Sequence, residues 1–240
     1  MPYFEKDDVN LYYESHGEGF PVLLFAPGGM RSAIDFWGNP WNPIEALSPH
    51  FRVIAMDQRN AGRSRAPVSA SDGWDTYTED HLSLLDHLGI ERCHLLGGCI
   101  GGPYCTGVMA RAPERVAAAV LQQPIGLDNN RQAFYDMFDS WAQGLREERP
   151  ELSDKVLNQF RANMYDGDFL FNVSPGWVSQ CTIPMLVLMG NDLYHPQSTS
   201  REIAALAPDA TLIEDWKTPE VIDLTISAVT QFLQQHNPQA

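Results

Sequence analysis

A glycine-rich corner between Leu95 and Tyr104, with the sequence LLGGCIGGPY, places a cysteine where it could act as a nucleophile. An apolar strand runs into the corner, and we predict a helix after it from about Ile100 to Ala112. Cys99 lies at the tip, with a glycine two residues before it and another two residues after it. Glycine at these positions lets the strand and the helix pass closely around a strained nucleophile. The pattern is that of a nucleophile elbow.

The corner is also expected to activate the thiol of Cys99. The N-terminus of a helix carries a partial positive charge, which favours an anion and lowers the pKa of a nearby thiol. A thiolate is a strong nucleophile, but acyl transfer also benefits from a base and from a group that orients the base. The sequence contains seven histidines. The elements around the corner decide which of them could reach it.

Six short apolar runs, each bounded by turn residues, are predicted to form buried strands. Their near-continuous apolarity is typical of a parallel sheet that helices cover on both faces. The runs are Pro21–Pro27, Arg52–Asp57, Cys93–Gly98, Val116–Pro124, Pro184–Gly190 and Ala210–Asp215. Helical patterns over Thr76–Leu88 and Val221–Leu233 alternate with them. The predicted fold is an α/β domain with a mostly parallel sheet and helices on both faces.

The segment between the fourth and fifth of these runs breaks the alternation. Residues 129–178 contain no convincing strand, but Phe134, Phe138 and Trp141 recur at helical spacing. We predict a small helical cap over this range, inserted into one domain that spans residues 1–240. A helical stripe of this kind normally packs against neighbouring helices, and its aromatic side chains are also candidates for contact with a substrate.

Composition and charge disfavour several classes of protein. Sixteen basic residues against 31 acidic ones leave a formal charge of −15, which argues against nucleic acid and anionic membranes as partners. We find neither a secretory leader pattern nor an apolar run long enough for a membrane helix. The four cysteines show no CxxC pair and no zinc-ligand spacing. We therefore expect a cytoplasmic protein that uses no metal and no cofactor, and the sequence leaves its oligomeric state open.

Taken in order, these landmarks resemble the α/β-hydrolase family from about Tyr12 to Leu233. The stretch LLFAPGG (23–29) resembles the first buried strand and the oxyanion loop, and DQRNAGRS (57–64) is similar to the family's D-x-R-G-x-G-x-S loop. The elbow and the cap follow. MLVLMGNDLYHP (185–196) then resembles the strand whose end carries the family's acid. Cysteine at the elbow, where most members have serine, resembles the dienelactone hydrolases.

The resemblance implies a role for each matching residue. Cys99 would be the nucleophile. The backbone N–H groups of Gly29 and Ile100 would form an oxyanion hole, which stabilises the negative charge that develops on a carbonyl oxygen. Asp192 would orient a base, and Asp128, just past the preceding strand, is an alternative position for that acid. The cap would cover an apolar substrate pocket.

The family's catalytic histidine is missing from its usual place. The loop after the last strand, Asp215–Glu220, reads DWKTPE and contains no histidine. His195 lies three residues beyond Asp192 on the same rim of the sheet, so we predict it as the base, although a turn before a helix would explain a histidine there equally well. Lys217 is a second candidate. A thiolate that needs no dedicated base is a third possibility.

Arg31 follows the predicted oxyanion loop and could bind a substrate carboxylate, although an ion pair with Asp35 would explain it at least as well. With the cap residues Phe134, Phe138 and Trp141, it completes the predicted substrate contacts. The sequence thus predicts a cysteine-dependent acyl hydrolase for a small-molecule apolar ester, thioester or lactone. The alternative is a ligand-binding protein, acyltransferase or lyase on the same fold, because the usual histidine is absent.

Overall fold

A computed structural model describes residues 3–238 of the protein, in which strands and helices alternate along most of the chain. The strands are β1 (Tyr3–Lys6), β2 (Val9–His16), β3 (Pro21–Phe25), β4 (Arg52–Met56), β5 (Cys93–Gly98), β6 (Val116–Gln122), β7 (Met185–Leu188) and β8 (Ala210–Ile213). The helices are α1 (Pro43–Leu47), α2 (Trp74–His87), α3 (Gly101–Arg111), α4 (Arg131–Glu148), α5 (Asp154–Tyr165), α6 (Pro175–Val178), α7 (Gln197–Leu206) and α8 (Ile222–Gln235).

All eight strands belong to one sheet with the order β1-β2-β4-β3-β5-β6-β7-β8. Strands β3 to β8 are parallel, and β1 and β2 form an antiparallel hairpin that joins the sheet along β4. The six predicted strands are all present, with ends within two residues of the predicted ones. The prediction of a mostly parallel α/β sheet is confirmed, and the hairpin at its edge is an addition to it.

Apolar side chains leave the sheet on both faces and form two separate cores. Along β3, Val22 and Leu24 enter one core, while Leu23 and Phe25 enter the other, as the two-residue period of a strand requires. Helices α1 and α8 cover the first core, and helices α2, α3, α4, α5 and α7 contribute to the second. The sheet is therefore buried on both sides, and its functional groups must lie at the ends of its strands.

The turn from β5 into α3 holds Cys99 in a strained conformation. Its φ of 60° lies in the left-handed region, which residues with a side chain rarely adopt. Three backbone hydrogen bonds fix it there: its N–H donates to Gln122 O (3.0 Å), and its carbonyl accepts from the N–H groups of Gly102 (3.0 Å) and Ile125 (3.2 Å). The surrounding chain thus supports the strain that presents the thiol at the sheet edge.

The glycines of the elbow are required by close packing, and this leads to a prediction. A Cβ at Gly101 would lie 3.1 Å from the carbonyl carbon of Phe25 on β3 and closer still to its oxygen. We expect Gly101→Ala to lower the free energy of unfolding by about 1–3 kcal/mol, the usual cost of overpacking. Urea unfolding followed by tryptophan fluorescence measures it. Gly144→Ala on α4 is the matched control, because a Cβ there meets nothing within 4 Å and alanine favours a helix; equal stability of both variants would contradict the prediction.

Helices α4, α5 and α6 occupy the chain between β6 and β7, the range in which the cap is predicted. Helix α4 contacts α5 and also the short 3₁₀ turn Gly29–Arg31, which follows β3. It therefore connects the inserted segment with the loop that lies next to the elbow. Within residues 3–238, no helix has the length and apolarity needed to cross a bilayer.

Candidate active site

The carboxyl ends of the parallel strands bring the predicted functional residues to one cavity. Cys99 follows β5, the glycine loop follows β3, and His195 lies in the loop after β7. The cavity has a volume of about 230 Å³. Its walls are formed by Gly28, Gly29, Cys99, Ile100, Ile125, Phe134, Met137, Tyr194 and His195. Larger grooves of about 390, 660 and 810 Å³ lie elsewhere on the described surface, but none of these three is lined by Cys99 or His195.

Cys99 is the one thiol of the described chain that is not fully buried. Its surroundings act on its pKa in opposite directions. Burial alone would raise it, but the imidazole of His195 and the backbone N–H groups of Gly28 and Ile100 interact with the sulfur and together lower the pKa below its usual value. By contrast, burial raises the pKa of Cys93 to about 12. Cys99 therefore ionises more readily than Cys93.

His195 connects Cys99 with Asp192. Its Nδ1 lies 2.7 Å from Oδ1 and 2.8 Å from Oδ2 of the Asp192 carboxylate. Its Nε2 is buried and has no formed hydrogen bond within residues 3–238, although the thiol of Cys99 lies close enough to influence it. Because the carboxylate accepts a hydrogen bond from Nδ1–H, a neutral ring carries its lone pair on Nε2, on the side of the sulfur.

The charges of the three groups reinforce one another. Burial would lower the pKa of His195, but the neighbouring thiolate of Cys99 and the carboxylate of Asp192 raise it. Burial would raise the pKa of Asp192, but His195 and two backbone N–H groups lower it below its usual value. All three shifts favour the charged form of the group: the thiolate of Cys99, the imidazolium of His195 and the carboxylate of Asp192. A thiol, an imidazole and a carboxylate in this order can serve as nucleophile, proton shuttle and orienting acid.

Asp192 and His195 are held by their own short loop. The N–H groups of Tyr194 (3.0 Å) and His195 (3.1 Å) both donate to Asp192 Oδ1. The backbone N–H of His195 also lies 3.2 Å from Asp192 O. Gly190 makes the tight turn possible, because a Cβ there would lie 2.8 Å from the carbonyl carbon of His195. The carboxylate of Asp192 and the imidazole of His195 are thus oriented together by their own loop.

Backbone N–H groups from two parts of the chain lower the pKa of Cys99. On the loop after β3, this N–H is that of Gly28, whereas Gly29 is the predicted donor to a different atom, the oxyanion of a substrate. Gly29 lines the same cavity, with a φ of 58°. Ile100 lies at the N-terminus of α3, as predicted, and its N–H faces the sulfur. Backbone N–H groups of the loop after β3 and of the start of α3 therefore both act on the thiol of Cys99.

The structure separates both alternative residues from Cys99. The ammonium of Lys217 donates to Asn191 Oδ1 (2.6 Å) and to Gln123 Oε1 (3.2 Å), and it does not line the cavity. The carboxylate of Asp128 accepts a hydrogen bond from Ser198 Oγ (2.6 Å). Neither group faces the thiol or His195, so neither takes part in the arrangement around Cys99.

Only one of the four predicted substrate contacts lines the cavity. Phe134 does, but the guanidinium of Arg31 donates to the carbonyl of Ser140 on α4 (2.9 Å) and not to the cavity. Phe138 and Trp141 are buried against the ring of Phe160, at 5.2 and 5.8 Å between centroids. They form the interior of the α4–α5 pair, because the apolar stripe of a helix normally packs against a neighbouring helix.

Four wall residues are not among the predicted site residues: Gly28, Ile125, Met137 and Tyr194. Met137 follows Phe134 at i+3 on α4, so helical spacing alone could have placed it on the same face. Tyr194 precedes His195, and Ile125 follows β6 at the same sheet edge. No group of three His, Cys, Asp or Glu side chains in the described range is arranged to hold a metal ion.

The chain matches known proteins along most of its length. A protein of Azorhizobium caulinodans named "Putative carbamate hydrolase RutD" is 38% identical over 124 residues, which cover 50% of this chain and 43% of that protein. A non-heme chloroperoxidase of Streptomyces lividans is 33% identical over 195 residues, or 77% of this chain and 66% of that one. The chain thus spans less than two thirds of the length of either relative.

Solved structures share the fold. The enol-lactonase from Burkholderia xenovorans LB400 superposes with a TM-score of 0.74, at 22% identity, over 97% of this chain and 100% of that one. A family model described as alpha/beta hydrolase fold matches residues 21–182, which is more than half of the chain. The match includes the glycine loop and the elbow, and the sheet order agrees with it. The chain belongs to the α/β-hydrolase fold family.

Proposed function

We propose that the protein is a hydrolase that uses Cys99 as its nucleophile and acts on a small, apolar ester, thioester or lactone. The observation that carries this proposal is the buried Nε2 of His195, which lacks a formed hydrogen bond and lies beside the thiol, while Nδ1 is held by Asp192 at 2.7 Å. A buried polar atom left without a partner is costly, which supports a role in chemistry.

In the first step, the thiolate of Cys99 attacks the carbonyl carbon of the substrate. The developing oxyanion would be stabilised by the backbone N–H groups of Ile100 and of the Gly28–Gly29 loop. The imidazolium of His195 then donates its Nε2 proton to the leaving group, and the C–O or C–S bond to that group breaks. The product of this step is an acyl group in thioester linkage to Cys99.

In the second step, His195 returns as the base. Neutral Nε2 takes a proton from a water molecule, whose oxygen attacks the thioester carbon, and the Cys99 thiolate leaves. Asp192 holds the ring with Nε2 toward the reacting atoms throughout and stabilises its positive charge. No metal or cofactor is needed in either step.

Helix α4 supports the predicted role of the inserted segment as a cap. Phe134 and Met137 of α4 line the cavity together with Cys99. The walls consist of apolar side chains and backbone apart from the reacting groups, which suits an apolar acyl group. We therefore propose that residues 129–178 act as a cap that shields the reaction from water within a single domain.

The activities named for two similar proteins are compatible with this chemistry. Carbamate hydrolysis and enol-lactone hydrolysis both begin with attack on a carbonyl carbon. The fold alone does not decide function. The strain at Cys99 gives a further argument, because a strained residue of this kind persists where the surrounding structure maintains it, and such residues cluster at active sites.

Trapping of the acyl-enzyme tests the proposal. We expect that wild-type protein mixed with 4-nitrophenyl butyrate and quenched in acid within milliseconds carries one butyryl group, located on Cys99 by peptide mapping. His195→Gln should be acylated more slowly but should hold the butyryl group for longer, because water attack on the thioester loses its base. Cys181→Ala is the matched control and should be acylated normally. Turnover without acylation of Cys99 would contradict the mechanism, and neither acylation nor turnover of any ester, thioester or lactone would favour the ligand-binding alternative.

A further inference from the structure

We propose that Met137 sets the upper size limit of the acyl group and restricts the enzyme to short, uncharged chains. This inference rests on the proposed function, because it assigns a substrate size to the same site. The first observation is the volume of the cavity, about 230 Å³. Because a cavity of about 150 Å³ holds benzene, this one accommodates about nine non-hydrogen atoms. That corresponds to an ester group and a chain of about six carbons.

The chemistry of the walls restricts the charge of the substrate. The side chains that surround the thiol and His195 are those of Ile100, Ile125, Phe134, Met137 and Tyr194. None of them carries a charge. Arg31 is the cation next to the oxyanion loop in the sequence, but its guanidinium is bound to Ser140 on the outside of α4. A carboxylate on the acyl chain would therefore be buried without a partner, which is strongly unfavourable.

Met137 forms the wall that lies against the oxyanion loop. A Cβ built at Gly29 would lie 3.2 Å from Cε and 3.5 Å from Cγ of Met137, and closer still to its sulfur. The end of the thioether chain thus rests directly on the glycine loop beside the site of attack. An acyl chain that extends from the carbonyl toward α4 meets this side chain first.

The neighbouring walls are less adjustable than Met137. Phe134 is fully buried, and its ring packs against Tyr165, Phe171 and Tyr194 at centroid distances of 5.4, 4.7 and 5.5 Å. Ile125 is 2% exposed, and its N–H is bound to the carbonyl of Cys99. Met137 is only partly buried and has an unbranched side chain. Its truncation should enlarge the cavity without moving the aromatic cluster.

Alkylation of Cys99 measures the size limit without relying on turnover. In a series of N-alkyl iodoacetamides, the thiolate forms a bond to carbon and iodide leaves, so the reaction needs only access and an ionised thiol. The cavity has room for about nine non-hydrogen atoms, and the acetamide group takes up about four of them, which leaves room for about five alkyl carbons. We expect the rate at Cys99 to rise about fourfold per added methylene, as 0.8 kcal/mol per buried CH₂ implies. The alkylation rate at Cys99 should then fall by about tenfold or more for alkyl groups longer than about five carbons, because these no longer fit the cavity.

Substitutions at position 137 should move this limit in a defined way. Met137→Ala removes three non-hydrogen atoms and should shift the fall to about eight alkyl carbons. Met137→Leu nearly conserves the volume and should keep the wild-type limit, provided that both variants melt near the wild-type temperature. Gln143→Ala, at an exposed position of the same helix, is the matched control. A chain-length profile of Met137→Ala identical to that of the wild type would overturn the proposal.

The same chain-length series made as 4-nitrophenyl esters separates this inference from the proposed function. Parallel shifts in alkylation and hydrolysis support both. A shift in alkylation without hydrolysis of any ester by the wild type supports the size limit and refutes the hydrolase. Hydrolysis with no shift in either series refutes the role of Met137 and leaves the hydrolase standing.

Discussion

Replacement of Cys99 by alanine is expected to lower kcat/KM for the best ester substrate by about 10⁴-fold or more. Removal of a nucleophile from a comparable catalytic unit costs about 10⁶-fold in kcat, and the residual rate comes from the oxyanion hole and binding alone. Here the backbone donors of Ile100 and the Gly28–Gly29 loop would remain, so a small rate above that in water is expected to persist. Initial rates over a substrate series measure the effect.

Two further variants make this result specific to the elbow thiol. Cys99→Ser keeps the size of the side chain but replaces a thiol of lowered pKa by a hydroxyl that ionises far less readily; its rate should lie between those of the wild type and Cys99→Ala. Cys181→Ala removes a buried thiol remote from the cavity and should retain wild-type activity. If Cys99→Ala kept its rate within about tenfold of the wild type, nucleophilic catalysis by this residue would be refuted.

The central strands could be predicted because one physical property identifies them. Strands of a parallel sheet covered on both faces need apolar side chains throughout, and the six predicted runs have them. The hairpin of β1 and β2 lacks this signal. Only Phe4 in β1 and Leu11 in β2 are buried, since the hairpin lies at the edge of the sheet. Such strands carry mostly polar residues and are not recognisable by apolarity.

Some features of the candidate site follow from local sequence, and others depend on tertiary packing. The elbow is a local pattern, and the three-residue separation of Asp192 and His195 keeps both in one turn, so sequence alone could predict their proximity. The contact of Met137 with the glycine loop depends on how α4 packs across the sheet edge, and no local spacing encodes that.

Arg31 illustrates the limit of inference from neighbouring residues. In the sequence it has two equally good explanations, a substrate carboxylate and an ion pair with Asp35. The structure supports neither, because the guanidinium binds the backbone of Ser140, which is 109 positions away, while Asp35 lies 3.5 Å from Arg63. A long, flexible cation can reach many partners, and its choice is determined by the packing of α4.

Replacement of His195 by alanine is expected to raise the pKa of the Cys99 thiol and to slow hydrolysis by about 10²–10⁴-fold. The imidazole is the largest influence that lowers this pKa, while burial raises it. Without the ring, burial is opposed only by the N–H groups of Gly28 and Ile100, so the midpoint of ionisation should move upward. Loss of general acid–base catalysis accounts for the expected fall in rate. The rate of Cys99 alkylation against pH, with the site located by peptide mapping, gives the midpoint in each protein.

The direction of the shift decides which group activates the thiol. In the wild type, the midpoint should lie below the usual value of a cysteine, about 8.5. Reactivity at neutral pH should then fall about tenfold in His195→Ala for each unit by which the midpoint rises, because the thiolate is the reacting form. His50→Ala, at an exposed position away from the cavity, is the matched control and should leave the curve unchanged. A low midpoint that His195→Ala does not move would assign the activation to the backbone N–H groups at the start of α3, and the base of the mechanism would then have to be another group.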